Sequence, residues 1–372
     1  MLERGTQIDR YKLDKPIGTG SSGEVWLAFE GTRPFAVKFL NAHLLNTPDA
    51  DKHYARFKNE IQALEILNGT PHIPALFGYN LTFERPYLAM EYIEGESWAA
   101  QIQSGEVMLL TIMQRLTLLD IIARTIGTVH SKGIIHRDIK PSNIHHTRHP
   151  FIIDFSVSIA VERARNARRD VGTSIYMQPE DDAPTDELHD NFAFALVTYE
   201  MLFGRHAVLQ PVEINEGFTE TRQTMKSRLA NDNWRRPTTL TEGELPGSLR
   251  GADLDALDAV FAKALGNRDM RYTDLTQFMA DVRGAIDIPA NVTYLSYVPP
   301  VTAELPAVDE EAYTKHEVGR ARVSTNHTVK PYQPVRRRRK RSWMTAGVIT
   351  VIVLWVIALV LVFISVMATG NP

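Results

Sequence analysis

The sequence predicts an α+β fold in which strand patterns prevail before Tyr92 and helical patterns after it, followed by one C-terminal transmembrane helix. Three observations lead to this prediction. Short apolar runs with strand character lie on both sides of a glycine-rich segment and recur up to Tyr92. A long pattern of apolar residues with helical spacing begins at Ile112, and an almost wholly apolar run covers residues 345–368.

The composition is that of a folded chain. Of 372 residues, 44% are hydrophobic and 23% are charged, which excludes a wholly disordered chain and a polytopic membrane protein. The chain has no cysteine, so disulfides, cysteine-ligated metals and a thiol nucleophile are excluded, and a reducing compartment fits. The net charge of −3 hides a basic run at residues 336–341 in an otherwise acidic chain. We therefore expect no nucleic-acid partner.

The first strand–loop–strand unit contains the glycines. Residues 11–17 and 26–29 have strand patterns, and Gly18-Thr19-Gly20-Ser21-Ser22-Gly23 lies between them. A dinucleotide fold would need a helix after the glycines and an acidic residue about 20 positions later, and a Walker A motif would need Gly-Lys-Ser/Thr. Neither pattern is present, so the segment favours a glycine flap that covers nucleotide phosphates. Glycine lets the backbone approach the phosphates closely.

A lysine lies at the end of the next strand. Phe35-Ala-Val-Lys38 matches the pattern V-A-I-K, whose lysine holds the α- and β-phosphates of ATP. Thr47 and Pro48 then predict the N-cap and first position of a helix. Glu60 lies on this helix, where its carboxylate could pair with Lys38. An isolated helix acid is more often solvated, but the neighbouring motifs favour the pairing.

The most specific string follows the helix that begins near Ile112 and ends near Ser131. Residues 133–143, Gly-Ile-Ile-His-Arg-Asp-Ile-Lys-Pro-Ser-Asn, resemble the catalytic loop H-R-D-L-x-x-x-N of protein kinases. Further motifs of that family follow in order: Asp154-Phe-Ser for Asp-Phe-Gly, Gln178-Pro-Glu180 for Ala-Pro-Glu, Asp190 at a buried central helix, and Arg271 where an arginine pairs with Glu180.

The resemblance covers residues 11–286 and implies the bilobal protein-kinase fold, with an N-lobe at about 11–92 and a C-lobe at about 93–286. The wording of residues 133–143 is similar to that of the bacterial Hanks-type (eukaryotic-like) serine/threonine protein kinases. That similarity implies an ATP-dependent kinase that phosphorylates serine and threonine in proteins and in itself. Two alternatives stay open: a nucleotide-binding pseudokinase that acts as an interaction module, and a small-molecule phosphotransferase of the same fold.

The resemblance also implies roles for individual residues. Asp138 orients and deprotonates the substrate hydroxyl, Lys140 marks transfer to serine or threonine, and Thr173 contacts the catalytic loop. Lys38, fixed by Glu60, holds phosphates, while Asn143 and Asp154 hold Mg²⁺, with Mn²⁺ as an alternative ion. Met90 guards the adenine pocket. The implied ATP-binding residues are Ile17, Gly18, Thr19, Gly20, Ser21, Ser22, Gly23, Glu24, Val25, Lys38, Glu91 and Ile93.

The sequence departs from the family pattern at three positions. Gln178 replaces an alanine, and Ala195 stands where a glycine is usual in the central helix. Ser156 replaces the glycine of Asp-Phe-Gly, and serine adopts positive φ at a higher cost than glycine. Two interpretations of Ser156 remain: it restricts inactive flips of Phe155 while leaving metal binding intact, or it signals decay toward a pseudokinase.

A histidine cluster follows the catalytic loop. His145, His146 and His149 could form a metal site. We favour an exposed turn between two short strands, because no carboxylate or further ligand stands nearby.

The middle of the activation loop carries no phosphate acceptor. Residues 159–172 contain no serine, threonine or tyrosine, although the arginine before the catalytic aspartate, Arg137, usually pairs with a loop phosphate in this family. We therefore expect Glu162, Asp170 or an acidic partner to take the place of the phosphate. Phosphorylation of Thr173 or Ser174 is the alternative.

The C-terminal part predicts a membrane anchor. Residues 287–342 hold scattered prolines and predict a flexible juxtamembrane linker that ends in the basic run. Residues 345–368 would form a helix of roughly 36 Å, enough to cross a bilayer. The basic run before it predicts a single-pass protein of the cell membrane with a cytoplasmic catalytic domain and attraction to membrane lipids. We expect no signal peptide and no extracellular sensor domain. Besides lipids, ATP and protein substrates, a second kinase copy is a candidate partner.

Overall fold

The computed structural model describes residues 2–20, 23–146, 149–161, 173–215 and 217–287. Its N-terminal part is a six-stranded antiparallel sheet in the order β1-β2-β3-β4-β6-β5. The strands are β1 (Gln7–Ile8), β2 (Tyr11–Thr19), β3 (Gly23–Glu30), β4 (Arg33–Leu40), β5 (Leu76–Asn80) and β6 (Tyr87–Glu91). Strands β2 and β3 flank the glycine segment, as the sequence predicts, and irregular pairing near Pro16 and Gly18 bends β2 there.

One helix, α1 (Ala50–Leu67), packs on this sheet and carries Glu60 on its buried side. The predicted cap is wrong. The helix begins two residues after Pro48 with Asp49 at the N-cap, and the Thr47 hydroxyl instead donates to the carbonyl of Leu44. A short 3₁₀ turn over Ala42–Asn46 precedes α1, and Thr47 is the C-cap residue of this turn.

The C-terminal part is helical. Its helices are α2 (Trp98–Ser104), α3 (Ile112–Ser131), α4 (Glu187–Phe203), α5 (Phe218–Ala230), α6 (Leu254–Leu265) and α7 (Leu275–Ala285). Helix α3 begins with a capping box, in which the Thr111 hydroxyl accepts from the Gln114 amide and the Gln114 side chain accepts from the Thr111 amide. Helix α4 carries Asp190 and is the buried helix that the sequence predicts. Nearly every one of its side chains is buried, so it forms the centre of the helical core.

Two small sheets of short strands flank the catalytic string. Strands β7 (Glu96–Ser97), β9 (Ile144–His146) and β10 (Pro150–Ile152) form a three-stranded sheet, and β8 (Ile134–Ile135) pairs with β11 (Ile159–Ala160). Residues 136–143 of the catalytic string lie between β8 and β9, so short strands hold both ends of this stretch. Because β9 pairs with β7, the chain that follows β6 lies beside the chain that follows the catalytic string.

The predicted linker, the basic run and the transmembrane helix at residues 345–368 lie outside the described residues. Within the part of the chain that the structure describes, none of the helices has the length and apolar character needed to cross a bilayer.

Candidate active site

A cavity of about 330 Å³ lies between the glycine segment, the chain after β6 and the catalytic string. Most of the predicted nucleotide-binding residues line it: Ile17, Gly18, Thr19, Gly20, Gly23, Val25, Lys38, Glu91 and Ile93. Met90 also lines the cavity, as do Asn143 and Asp154 from the catalytic side. Ser21 and Ser22, at the tip of the flap, lie outside the described residues.

Glu24 differs from the sequence expectation. Its carboxylate pairs with Arg85 at 3.1 Å, and Glu24 is not among the residues that line the cavity. The reason is the alternation of side chains along β3: Gly23 and Val25 line the cavity, so the residue between them points to the other face of the strand.

Gly23 is required for close packing of the flap on β4. A Cβ atom there would lie 2.8 Å from the carbonyl oxygen of Phe39 and 3.2 Å from Cε of Lys38. Gly18 and Gly20 face no such contact. The structure therefore gives one glycine of the flap a role that the sequence did not suggest, which is to let β3 lie against the lysine.

Lys38 connects the two sides of the cavity. Its Nζ atom lies 2.6 Å from Oε1 of Glu60 on α1 and 2.9 Å from Oδ1 of Asp154. The pairing of Lys38 with Glu60 is thus confirmed. Both side chains are almost fully buried, whereas Asp154 keeps about a third of its side chain exposed, at 35%. An ammonium held between two carboxylates is fixed in position and directed at the cavity.

The charges of this trio follow from burial and proximity. Burial alone would lower the pKa of Lys38, but Glu60 and Asp154 raise it above its ordinary value, so the ammonium stays charged. Burial raises the pKa of Glu60 to about 7 against the opposite effect of Lys38. Burial would also raise the pKa of Asp154, yet Lys38 and the Ser156 hydroxyl hold it well below its usual range. Asp154 therefore remains ionised where it faces the cavity.

Asp138 has hydrogen-bond partners on both carboxylate oxygens. Oδ1 accepts from the amide of Thr173 at 3.0 Å and from its hydroxyl at 2.7 Å. Oδ2 accepts from Nδ2 of Asn143 at 3.0 Å and lies 2.7 Å from Nζ of Lys140. Lys140 also donates to the Thr173 hydroxyl at 2.7 Å, which confirms the expected contact of Thr173 with the catalytic loop.

Asp190 of α4 holds the catalytic string in place through hydrogen bonds to its backbone. This fully buried carboxylate accepts from the backbone amides of His136 at 2.8 Å and Arg137 at 2.7 Å, and from the His130 ring at 2.8 Å. Burial alone would raise the pKa of Asp190, but His130 lowers it to about 2. The anchor holds Arg137 in a left-handed conformation with φ of +70°. Backbone strain of this kind is typical of functional sites.

The oxygens of Asn143 and Asp154 fit a divalent cation. Asn143 uses Nδ2 to donate to Asp138, which leaves its amide oxygen as an acceptor, and Asp154 is an ionised carboxylate on the same cavity. No group of three or more histidine, aspartate or glutamate residues suited to a metal exists within the described ranges. The pair of Asn143 and Asp154 instead suits Mg²⁺, which binds through one or two protein oxygens together with substrate phosphates and water.

Ser156 causes no backbone strain in this conformation. Asp154 has a φ of +64°, whereas Ser156 is not among the described residues with positive φ. The Ser156 hydroxyl bonds to the Asp154 carboxylate, and the Phe155 ring is buried 4.6 Å from the His136 ring. The substitution is therefore compatible with an ionised, inward-facing Asp154.

The predicted pair of Arg271 and Glu180 is confirmed. The guanidinium donates to both carboxylate oxygens at 2.6 and 3.1 Å and also to the carbonyl of Gly266. This bidentate pair fixes the end of the segment that begins with Thr173. The loop acids Glu162 and Asp170, expected to pair with Arg137, lie outside the described residues.

Tyr92 lines the cavity within the segment Glu91 to Ile93 that was expected to meet the base, whereas several other lining residues were not predicted: Ala36, Pro74, Ser142, His145 and Ile153. His145 is a correction, because it is on strand β9 and lines the cavity instead of lying in an exposed turn. Side chains alternate between the two faces of a strand, and β9 directly follows Asn143. This alternation is the signal that could have placed the side chain of His145 on the same face as Asn143, toward the cavity.

Comparisons with known proteins agree with this geometry. Residues 11–277 match the protein kinase domain family. The chain is 30% identical to serine/threonine-protein kinase Pkn1 of Myxococcus xanthus over 54% of this chain and 30% of that protein. It is 29% identical to serine/threonine-protein kinase PknB of Mycobacterium tuberculosis over 74% of this chain and 42% of that protein. It thus spans less than half the length of these relatives.

Proposed function

This chain belongs to the protein kinase family, and from that premise we propose that it transfers the γ-phosphoryl group of ATP to serine and threonine hydroxyls of proteins, itself included. The observation that carries the proposal is the arrangement of Asp138, whose carboxylate is bonded to both Lys140 and Thr173. The relatives named serine/threonine-protein kinases support the choice of acceptor.

The residues divide the work in the following way. Lys38 binds the α- and β-phosphates, and Glu60 keeps its ammonium directed at them. The backbone of Glu91 to Ile93 meets the base, and the glycine flap covers the phosphates. A Mg²⁺ ion held by Asn143 and Asp154 would neutralise charge on the phosphates, and Mn²⁺ could replace it.

The transfer itself needs a positioned hydroxyl. Asp138 orients the substrate hydroxyl and accepts its proton as the oxygen bonds to the γ-phosphorus and the bond to the β–γ bridging oxygen breaks. Lys140 lies next to this carboxylate and stabilises negative charge on the transferred group. Thr173 holds the acceptor side of the site against the catalytic loop through its amide and hydroxyl.

A direct test compares three acceptors. The purified chain is incubated with Mg²⁺ and labelled ATP and with peptides that differ only in serine, threonine or tyrosine at one position. We expect label on the serine and threonine peptides and on the chain itself. Label mainly on tyrosine would contradict the role given to Lys140 and Thr173. Nucleotide binding without transfer to any acceptor would instead support the pseudokinase alternative. Label on a small molecule alone would support the alternative of a small-molecule phosphotransferase.

We propose further that the catalytic domain is tethered to the cell membrane on its cytoplasmic side. The apolar run 345–368 and the adjacent basic residues 336–341 support this. We expect the chain to sediment with membranes and to lose this property when residues 345–368 are deleted. A reporter fused after Pro372 that is active in the cytoplasm would contradict the single-span topology.

A further inference from the structure

A buried arginine of the helical part has no role in the proposed reaction. Arg115, near the start of α3, is fully buried. Its Nη1 atom donates to the carbonyls of Met201 at 3.2 Å and Leu202 at 2.9 Å, which lie in the last turn of α4. Carbonyls in the last turn of a helix lack partners within that helix. Arg115 therefore joins the start of α3 to the end of α4.

The charge of Arg115 is only partly compensated. Burial lowers its pKa, and no carboxylate within the described part of the chain opposes that effect. Its Nε atom is buried without a hydrogen-bond partner. The end of a helix supplies only about half of a negative elementary charge. Because buried charges are normally paired, this guanidinium lacks part of a counter-ion.

The other terminal nitrogen of Arg115 leads to the surface. Nη2 donates to the hydroxyl of Ser248, which lies in a short 3₁₀ turn, Gly247–Leu249, in the irregular chain between α5 and α6. Ser248 is exposed, and within the described ranges its hydroxyl proton has no acceptor. A hydroxyl that faces solvent on one side and a buried guanidinium on the other can gain a phosphate and remain beside its partner.

We propose that Ser248 is an autophosphorylation site whose phosphate becomes the counter-ion of Arg115. The inference rests on the proposed function, because a second copy of this chain donates the phosphoryl group. The Ser248 oxygen of one copy bonds to the γ-phosphorus of ATP held by the other copy, the bond to the β–γ bridging oxygen breaks, and ADP leaves. The hydroxyl proton passes to Asp138 of the copy that holds ATP.

The phosphate would stabilise the contact between α3, α4 and the chain before α6. A phosphoserine carries a charge of about −1.5 to −2 at pH 7 and accepts charge-assisted hydrogen bonds from arginine. Nη2 of Arg115 already contacts the oxygen that would carry this phosphate. Asp190, which holds the catalytic string, lies near the opposite end of α4. We therefore expect the phosphate to increase stability and to leave the active site unchanged.

A thermal comparison tests the pairing without any kinase activity. Phosphoserine is incorporated at position 248 of the full chain in the Asp138→Asn background, which prevents further autophosphorylation. Thermal midpoints are compared with and without this phosphate in three forms: Arg115 intact, Arg115→Lys and Arg115→Met. The control is phosphoserine at Ser104, an exposed position whose hydroxyl donates to the carbonyl of Gln101.

We expect the phosphate at Ser248 to raise the thermal midpoint by about 4 °C when Arg115 is intact. Arg115→Lys keeps a charge but not the planar guanidinium, so the rise should be smaller, and Arg115→Met should abolish it. The phosphate at Ser104 should give no rise. The absence of a rise in the intact form, or an equal rise in Arg115→Met, would overturn the pairing.

A second measurement needs no replacement of Arg115 and therefore holds even if Arg115→Met does not fold. Titration by ³¹P nuclear magnetic resonance gives the pKa of each phosphate in the form with intact Arg115. The phosphate at Ser248 should have a lower pKa than the phosphate at Ser104, because a guanidinium favours the dianion. Equal pKa values at the two positions would overturn the pairing.

The origin of the phosphate is tested with two copies of the chain. The active chain is incubated with Mg²⁺, ATP and a tagged Asp138→Asn chain, whose peptides are then analysed by mass spectrometry. We expect phosphate on Ser248 of the tagged copy, and none when the active chain is left out. Phosphate on its other serines but not on Ser248 would overturn the inference. An active chain that modifies no position would refute the proposed function, while the thermal comparison would still report on Arg115 and Ser248.

Discussion

The two sides of the cleft hold their carboxylates in opposite ways. On the nucleotide side, one lysine joins carboxylates from distant parts of the chain, and Oε2 of Glu60 is buried without a hydrogen-bond partner. On the acceptor side, both oxygens of Asp138 are bonded within the catalytic string and to Thr173. The difference teaches that the nucleotide side depends on a single cation, whereas the acceptor side is a shared network that tolerates the loss of one bond better.

Apart from the replacement of Asp138 itself, the largest effect should come from breaking the nucleotide side. Lys38→Met leaves Glu60 and Asp154 without their shared cation, so we expect phosphoryl transfer to fall by about 10² to 10³ and ATP affinity to fall with it. Initial rates over a range of ATP concentrations measure both. Lys52→Met, on the exposed face of α1, is the control. A normal affinity in Lys38→Met would remove the phosphate-holding role from Lys38.

On the acceptor side, the stability of the fold should depend on pH through His206. The buried His206 ring accepts from the amides of Val208 and Leu209 and donates to the carbonyl of Ile175, three residues before Gln178. Burial lowers the pKa of His206 from 6.5 to about 4. Between these values the unfolded chain binds a proton that the folded chain excludes, so stability should fall by about 3 kcal/mol as the pH drops from 6.5 to 4.

Urea unfolding at a series of pH values measures this change. The free energy of unfolding of His206→Gln should depend less steeply on pH over that window, and His43→Gln, at an exposed position, should keep the wild-type slope. Above roughly pH 7.5, where the histidine is neutral in both states, it should contribute no slope. A His206→Gln profile parallel to that of the wild type would show that another group titrates there.

A smaller effect is expected at Ser156. Because Ser156 has ordinary backbone angles and its hydroxyl bonds to Asp154, Ser156→Gly should weaken Mg²⁺-dependent ATP binding by about threefold to tenfold and leave the enzyme active. Titration of Mg²⁺ at fixed ATP measures it. A Ser156→Gly variant far more active than the wild type would instead support decay toward a pseudokinase.

The smallest effect should follow dephosphorylation. Residues 159–172, the middle of the activation loop, contain no serine, threonine or tyrosine that could accept a phosphate. Activity on an external peptide should therefore survive complete phosphatase treatment and should fall on Glu162→Gln or Asp170→Asn. Loss of activity that autophosphorylation at Ser174 restores would contradict this prediction.

Sequence motifs were sufficient where a residue's role depends on its own chemistry. The positions of Lys38, Thr173 and Arg271 follow from strings whose order along the chain is specific, and the structure places each against its expected partner. The strands on both sides of the glycine segment were likewise predicted from the sequence, because each is a short apolar run of its own.

The sequence failed where a role depends on which face of a strand a residue occupies. Glu24 and His145 both lie on strands next to motif residues, and only the register decides that His145 lines the cavity while Glu24 pairs with Arg85. The predicted N-cap at Thr47 was wrong because Thr47 ends the preceding 3₁₀ turn, where its hydroxyl donates to the carbonyl of Leu44. Strand register and the exact start of a helix depend on tertiary contacts, which local sequence patterns do not specify.

The comparison of the two sides leads to one decisive measurement, made on Asp138→Asn. Asparagine has the size of aspartate and can keep the bonds from Thr173, but it cannot accept the hydroxyl proton. ADP binding and transfer from labelled ATP are measured on the same preparation, with Asp255→Asn, at an exposed position on α6, as the control. The account predicts wild-type ADP affinity with transfer reduced about 10³-fold or more. Transfer at the wild-type rate in Asp138→Asn would contradict it.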